Sequence, residues 1–370
     1  MAMFIVKPWY RKKDDAIYGA EWAGTSDPSW VRTDAAVGFA NPNPYYSGMS
    51  TTPSSPFDNI MPWSGMRRVT DANAGELVEI PKFYYKWTRD GVKMKLQISM
   101  SQFDGSHVSP AHADRGDGVG VRNYIYVGRY HCSSTNYKSA TQVQSKANTN
   151  ILTFRSQIHN LGSNVWQQDY ALWWTIRMLY LVEYATWESQ KIINYGCVFG
   201  GNYSYGNGNT DTMPYHTGTI AYSVGNPSFL QYRYIENLWS DMYEFVDGIY
   251  FNDRSIYITK NPADFGTSSA YVNIGTLVST VGYIKAWTSP SVAGYEYALY
   301  PSDTYFNGDN DPAYVQDIVQ SNTGVRYFQT SSSDQSPTRG LFYICALSTD
   351  SSTSIGYTSR LMVLPSQRIA

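Results

Sequence analysis

The sequence predicts an α+β fold in which two helices sit among short strands, twisted antiparallel sheets and long loops. Three observations predict it. Apolar and polar residues alternate with period two on either side of a turn at Arg89-Asp90-Gly91. Apolar residues recur at helical spacing only over 151–161 and 169–187. After Gln190 the chain breaks into short aromatic runs separated by Gly, Asn, Ser and Asp. The expected organisation is a small β-rich region over 1–76 and a larger unit over 77–370.

In chain order, the first region carries short aromatic runs such as Ile17-Tyr18-Gly19-Ala20-Glu21-Trp22 between turn clusters. Its segment from Asn41-Pro42-Asn43-Pro44 to Ser54-Ser55-Pro56 can hold no long helix, because proline lacks the amide donor and clashes with the preceding turn. We expect this region to attach the protein or to oligomerise it. Leu77–Trp87 and Val92–Ile98 then form a hairpin, and Asn123–Tyr130 a further strand. Ile151, Phe154, Ile158 and Leu161 share one helix face, and Gly162 supplies a stop. Asp169 can cap a second helix whose Trp173, Ile176, Tyr180, Tyr184 and Trp187 lie on one side, with Leu172, Leu179 and Val182 widening it. That aromatic stripe reads as core. Further strands are expected at Tyr271–Leu277, Ala298–Tyr300, Leu341–Leu347 and Ser359–Leu364.

Composition narrows the function. Lys+Arg number 28 and Asp+Glu 30, giving a net charge of −2 and only 16% charged residues, against roughly 25% in an average domain. The 33 Tyr, 11 Trp and 14 Phe together match the charged residues in number. A chain with no basic run longer than Arg11-Lys12-Lys13 lacks the footprint that a phosphate backbone demands, so nucleic acid is not expected as a partner. The most apolar window, Ala171–Ala185, is broken by Arg177 and Glu183, and no signal-peptide core is visible, so neither membrane insertion nor ordinary export is expected. Cys132, Cys197 and Cys345 read as buried thiols with at most one bridge.

Catalytic and metal patterns are sparse. His107 and His112 are five apart in a loop, a loose spacing for a metal pair, and no Gly-x-Ser-x-Gly elbow focuses a nucleophile. Glu183/Glu188 and Glu236/Asp241 are acid pairs of the kind a glycosidase needs, although capping or a buried hydrogen bond explains them as well. Asn307, Asp309 and Asp311 put hard oxygen ligands within five residues, which suits calcium, the alternative being a solvated turn. Beyond that calcium no cofactor is expected. Arg115-Gly116-Asp117 matches an adhesion tripeptide by letter and reads as coincidence.

The most distinctive stretch runs from Tyr327 to Arg360 and is dominated by Ser, Thr, Tyr and Asp. Tyrosine gives a large rigid contact area with few torsions, and serine gives adaptable hydrogen bonds, a pairing typical of binding loops. Apolar runs at Leu341–Ile344 and Leu361–Leu364 frame it and tie its ends to a sheet. The expected ligand-binding residues are Tyr327, Ser331, Ser333, Tyr343 and Ser348, followed by Asp350, Ser352, Ser354, Tyr357 and Ser359. The loops at 200–212 and 303–311 are expected to join them.

Three segments carry a resemblance to known proteins: Leu181-Val182-Glu183-Tyr184-Ala185, Leu238-Trp239-Ser240-Asp241-Met242-Tyr243-Glu244-Phe245-Val246-Asp247-Gly248, and Gly356-Tyr357-Thr358-Ser359-Arg360-Leu361. Over 77–370 they resemble landmarks of the formylglycine-generating-enzyme branch of the C-type lectin fold. The segments Ile17–Trp22, Ser55–Trp63 and Ile80–Tyr85 are similar to tail or receptor-binding proteins of phages and prophages, several of which resemble variable proteins of diversity-generating retroelements. The resemblance implies a C-type-lectin-like domain with two helices. It also implies a non-enzymatic receptor-binding protein on a phage tail, acting outside the host cell, expected as a homotrimer and bound to tail or baseplate proteins. Its partner would be a bacterial surface receptor, glycan or protein. The enzyme branch's cysteine pair is reduced here to Cys345, and the calcium-lectin signatures are absent. An enzyme on the same scaffold, using Glu183, Glu244 or Cys345 as an oxidase or a depolymerase, and a purely structural tail component are the alternatives.

Overall fold

Among the described residues strand makes up 38% and helix 11%, with three α-helices. The computed structural model describes residues 15–197, 206–221, 228–278, 281–305, 315–332 and 338–369. The α+β expectation of a two-helix C-type-lectin-like domain is corrected to a mostly β architecture of several sheets and a curled half-barrel. The reason lies after Gln190. Short runs that look isolated in sequence pair side by side into a nine-stranded sheet, most of whose strands were not expected.

That sheet runs in the order Val272–Thr276, Ser255–Ile258, Tyr243–Asn252, Val325–Thr330, Ile344–Ser348, Val315–Ser321, Gly282–Thr288 and Tyr300–Tyr305, with Tyr357–Ser359 added parallel to Tyr243–Asn252. Two five-stranded antiparallel sheets are built mostly of earlier segments. One joins Val31–Asp34, Tyr18–Trp22, Lys93–Ser99, Tyr84–Asp90 and His107–Val108. The other joins Val165–Gln167, Leu361–Val363, Tyr124–Gly128, Gly75–Pro81 and Arg67–Asp71. A four-stranded sheet places Tyr45–Tyr46 parallel to Gly218–Ala221. Pairing therefore crosses residue 76: Tyr18–Trp22 lies against Lys93–Ser99, and Arg67–Asp71 against Gly75–Pro81.

The hairpin turn falls where the sequence put it. Tyr84–Asp90 pairs with Lys93–Ser99 around Gly91, whose positive φ of 60° suits glycine, while Leu77–Ile80 joins a different sheet. The first helix, α1 (Ile151–His159), begins where Asn150 accepts a hydrogen bond from the Thr153 amide at 2.9 Å. The second, α2 (Tyr170–Tyr184), is capped by Asp169, whose carboxylate accepts from the Leu172 amide at 2.9 Å. It ends at Ala185 in the left-handed conformation. A four-residue α3 (Ser189–Ile192) follows.

Every residue of α2 is buried, so the stripe seen in sequence widens into a helix enclosed on all sides. Trp174 and Trp187 both pack on Trp287, at 5.6 and 5.4 Å between ring centroids, and the Trp63 indole donates to the Leu179 carbonyl at 3.0 Å. Arg177 lies 3.7 Å over the Trp173 ring and donates to the Leu341 carbonyl at 2.7 Å. No helix among the described residues is long and apolar enough to cross a membrane. The three cysteines are buried and unbridged.

His112 sits fully buried under the strand Gly75–Pro81. Its Nε2–H donates to the Ile80 carbonyl at 2.9 Å and its Nδ1 accepts from Ser109 at 2.7 Å, so both ring nitrogens are engaged and the metal pair weighed with the exposed His107 does not form. Burial drives the His112 pKa down to about 3, the Ile80 carbonyl opposing it. An unfolded imidazole titrates near 6.5. From about pH 6.5 down to about 3 the unfolded chain binds a proton that the native state refuses, so stability is lost as pH falls through that window. His112→Gln is expected to flatten the dependence by as much as about 1.4 kcal/mol per pH unit. Urea melts at pH 4 and 7 check this.

Candidate functional site

The residues expected to form a C-terminal binding surface divide by depth. Ser331, Tyr343, Ser348 and Ser359 are buried. The Ser331 hydroxyl donates to the Ser240 carbonyl at 2.9 Å, Tyr343 to Gln320 at 2.5 Å, Ser348 to Gln329 at 2.6 Å, and Ser359 to the Phe245 carbonyl at 3.0 Å. Ile344–Ser348 is a central strand of the large sheet, and polar groups inside a sheet are satisfied by such bonds. Tyr327, Ser352, Ser354 and Tyr357 are half-buried, and Asp350 is exposed. Ser333 lies outside the described residues, as do Asn307, Asp309 and Asp311 and parts of the loops at 200–212 and 303–311. Among the described residues no group of three or more His, Cys, Asp or Glu is arranged to hold a metal.

The presented part of this region is the loop 349–356, shaped by its own side chains. The Thr349 amide donates to the Ser352 hydroxyl at 2.8 Å, the Gly356 amide to the Ser354 hydroxyl at 3.1 Å, and the Asn148 amide to the Ser354 carbonyl at 2.9 Å. Its Asp350 carboxylate is felt at Tyr327. Burial raises the Tyr327 pKa, Arg155 opposes that, and Asp350 adds to it.

Tyr327 belongs to a row that the sequence reading did not assemble. Strand pairing sets Ser348 opposite Tyr327, Tyr327 opposite Tyr250, Tyr250 opposite Tyr257, and Tyr257 opposite Asn273, across five strands. On one side of the three strands that carry Tyr250, Tyr257 and Tyr327, the residues Ile249, Phe251, Ile256, Ile258 and Phe328 enter the core, so alternation puts these tyrosines on the other. The Tyr250 and Tyr257 rings stack 4.9 Å apart and 4° from parallel. Tyr271 meets Tyr250 at 5.0 Å and 61°, and Tyr327 stands 6.5 Å from it. The hairpin between Tyr250 and Tyr257 turns at Asp253 and Arg254, with φ of 47° and 72°, the sense of turn that matches strand twist. All four tyrosines are partly exposed. With Asn252, Gly266, Ser268 and Val325, three of them (Tyr250, Tyr271 and Tyr327) line a hollow of about 250 Å³.

A second hollow, of about 340 Å³, lies across the turn 262–268 and is lined by Leu152, Arg155, Ser156, His159, Trp166, Pro262, Ala263 and Phe265. Trp166 stacks on His159 at 3.9 Å and 18°. Arg155 stands where the hollows meet, making two hydrogen bonds to Asp247 at 2.6 and 2.9 Å. Burial works against its charge, but the Asp247 carboxylate more than offsets this and its pKa is raised. Burial likewise raises the pKa of Tyr250 and of Tyr271, Asp247 contributing to the latter, so the tyrosines keep their protons. A Cβ placed on Gly266, where φ is +87°, would lie 2.4 Å from Arg155 Nη1. Gly266→Ala is therefore expected to cost about 2 kcal/mol, from the left-handed backbone and the displaced ion pair. Denaturant unfolding measures it.

A third hollow, of about 350 Å³ and lined by Arg122, Tyr124 and Arg368 among others, offers no free cation. Arg122 pairs with Asp117, and Arg368 with Glu79 at 2.5 Å. The candidate acids lie inside the protein. Glu183 accepts from Arg233 at 2.6 Å, Ser55 at 2.7 Å and Tyr232 at 3.0 Å. Glu236 accepts from the Gly208 amide at 2.9 Å and the Thr210 amide at 2.7 Å. Glu188 pairs with Lys191 at 3.2 Å, and Asp241 lies 3.8 Å from His131. Glu244 pairs with Arg360 at 2.9 Å, and burial raises the pKa of Cys345. Arg115 of the adhesion-like tripeptide is buried, pairing with Asp169 and donating to the Lys260 carbonyl at 2.6 Å.

Tyr250, Tyr257, Tyr271 and Trp166 are thus the site residues the sequence reading missed. The available signal was the phase of Ile249-Tyr250-Phe251 and Ile256-Tyr257-Ile258, which places both tyrosines on one face of a hairpin. The chain matches no model of a known protein family and no curated protein.

Proposed function

We propose that this chain is a receptor-binding protein displayed on a phage tail or a similar particle, attaching it from outside to a bacterial surface receptor. The observation that carries this reading is the row Tyr327, Tyr250 and Tyr257, partly exposed along one sheet face beside the polar loop 349–356. Rigid aromatic faces next to adaptable hydroxyls suit recognition. The resemblance of the Ser55–Trp63 and Ile80–Tyr85 segments to tail proteins supports the setting. Several copies on one particle, as a trimer would supply, raise avidity well above the affinity of one site.

The test is saturable binding of the labelled protein to a panel of bacterial isolates. Wild type is expected to bind at least one isolate, and Tyr327→Ala to lose about tenfold in affinity with its melting temperature unchanged. An absence of saturable binding, or a correctly folded Tyr327→Ala that binds as well as wild type, rejects the reading.

A further inference from the structure

Resting on that reading, we infer that the receptor is a neutral glycan chain, lying across the two hollows from the tyrosine row to Trp166. Shape is the first ground. The hollows adjoin at the turn 262–268, where Phe265 lines one and Gly266 the other, so an extended ligand can occupy both. At about 250 and 340 Å³ they fall just below and at the low end of the usual range of small-molecule pockets. They suit rings laid flat better than a single buried group.

Chemistry is the second ground. A sugar ring has an apolar CH face and an edge of hydroxyls, so it calls for flat aromatic surfaces bordered by neutral hydrogen-bonding groups. Tyr250 and Tyr271 provide such surfaces in one hollow, with Asn252 and Ser268 exposed beside them, and Trp166 provides one in the other. The tyrosine hydroxyls, kept protonated, both donate and accept.

Charge is the third ground, and it sets the sugar class. Among the described residues Arg155 is the one Lys or Arg lining either hollow, and Asp247 neutralises it through two hydrogen bonds. No Asp or Glu among the described residues lines either hollow. A phosphate- or uronate-bearing polymer would meet no free cation there, and a cationic one no free anion, whereas a neutral chain is matched.

The experiment takes an isolate that the full chain binds and separates its surface polysaccharide into neutral and acidic fractions. The neutral fraction is expected to compete with cell binding, and periodate, which cleaves sugar diols, to abolish it. Raising salt from 0.05 to 0.5 M is expected to change affinity by less than about twofold, since no phosphate or carboxylate is being paired. Trp166→Ala and Tyr257→Ala should each weaken binding of the neutral fraction by about tenfold. Asn252→Ala, at an exposed position, stands in should either aromatic variant misfold, with the same direction of change. Binding that survives periodate but is lost after protease treatment of the cells overturns the glycan and leaves the adhesion reading standing. Competition by the acidic fraction alone overturns neutrality. Binding to no isolate fails the adhesion reading, and this inference with it.

Discussion

Tyr250→Ala is expected to reduce binding to receptor-bearing cells by about tenfold to a hundredfold while leaving the fold intact. Tyr250 is the centre of the row: it stacks on Tyr257, meets Tyr271 edge-on and faces Tyr327 across the strand pair. Truncating it removes one contact surface and unsupports three others. The loss should therefore exceed that of Tyr257→Ala, and the double variant should lose less than the two single losses combined, because contacting residues are coupled. Tyr250→Phe keeps the ring and should retain most of the affinity, which separates stacking from the hydroxyl. Immobilised-cell titrations with the protein as single sites, and then clustered, would show the defect partly masked by avidity in the second case.

The largest effect on stability is expected from Arg360. Its guanidinium is fully buried, pairs with Glu244 at 2.9 Å, and donates to the carbonyls of Gly128 at 2.8 Å, Arg129 at 2.9 Å and Glu236 at 2.7 Å. One side chain thereby ties together the strands around 128, 236, 244 and 360. Arg360→Met should cost about 3–5 kcal/mol, since it removes the charged donor from three carbonyls and from a buried carboxylate that keeps only Gln168 and His131 beside it. That is a large share of a typical domain's stability. Burial by itself raises the Glu244 pKa, and Arg360 and His131 together more than offset it, so the group now titrates below its usual range. With Arg360 removed, burial is opposed by His131 alone, and the sign is expected to reverse. A carboxyl whose folded pKa exceeds its unfolded value binds its proton more tightly in the native state, so the variant should gain stability as pH falls toward that of a free glutamate. Urea melts at pH 5 and 8 test this, and Glu244→Gln combined with Arg360→Met should recover part of the loss at pH 8.

Local signals were readable from the residues themselves. The Asp169 cap, the α1 periodicity and the Gly91 turn each lie within a few residues, and each formed as expected. Pairings between distant segments were not readable. Nothing near Tyr18 names Ile98 as its partner, nor does anything near Tyr45 name Gly218, because register is settled by which faces find a common core. The same limit explains the site. Composition picked out the stretch from 327 to 360, and part of it, Tyr327, Asp350 and the loop around Ser352, does lie at the surface. Composition could not tell a polar loop from a polar central strand, so Tyr343 and Ser348 were placed outside although hydrogen bonds hold them within. Tyr250 and Tyr257 joined Tyr327 only through cross-strand register.

Leu361–Val363 lies between Val165–Gln167 and Tyr124–Gly128, filling an interior place in a sheet whose other strands were all translated long before it. Until residue 363 has cleared the ribosome, both neighbours present open edges to whatever else is nearby. The nascent chain must spend that interval with two unpaired templates for misassociation. Closure of this sheet thus waits on residue 363, and its speed is set by a search over about two hundred residues of chain rather than by any local turn.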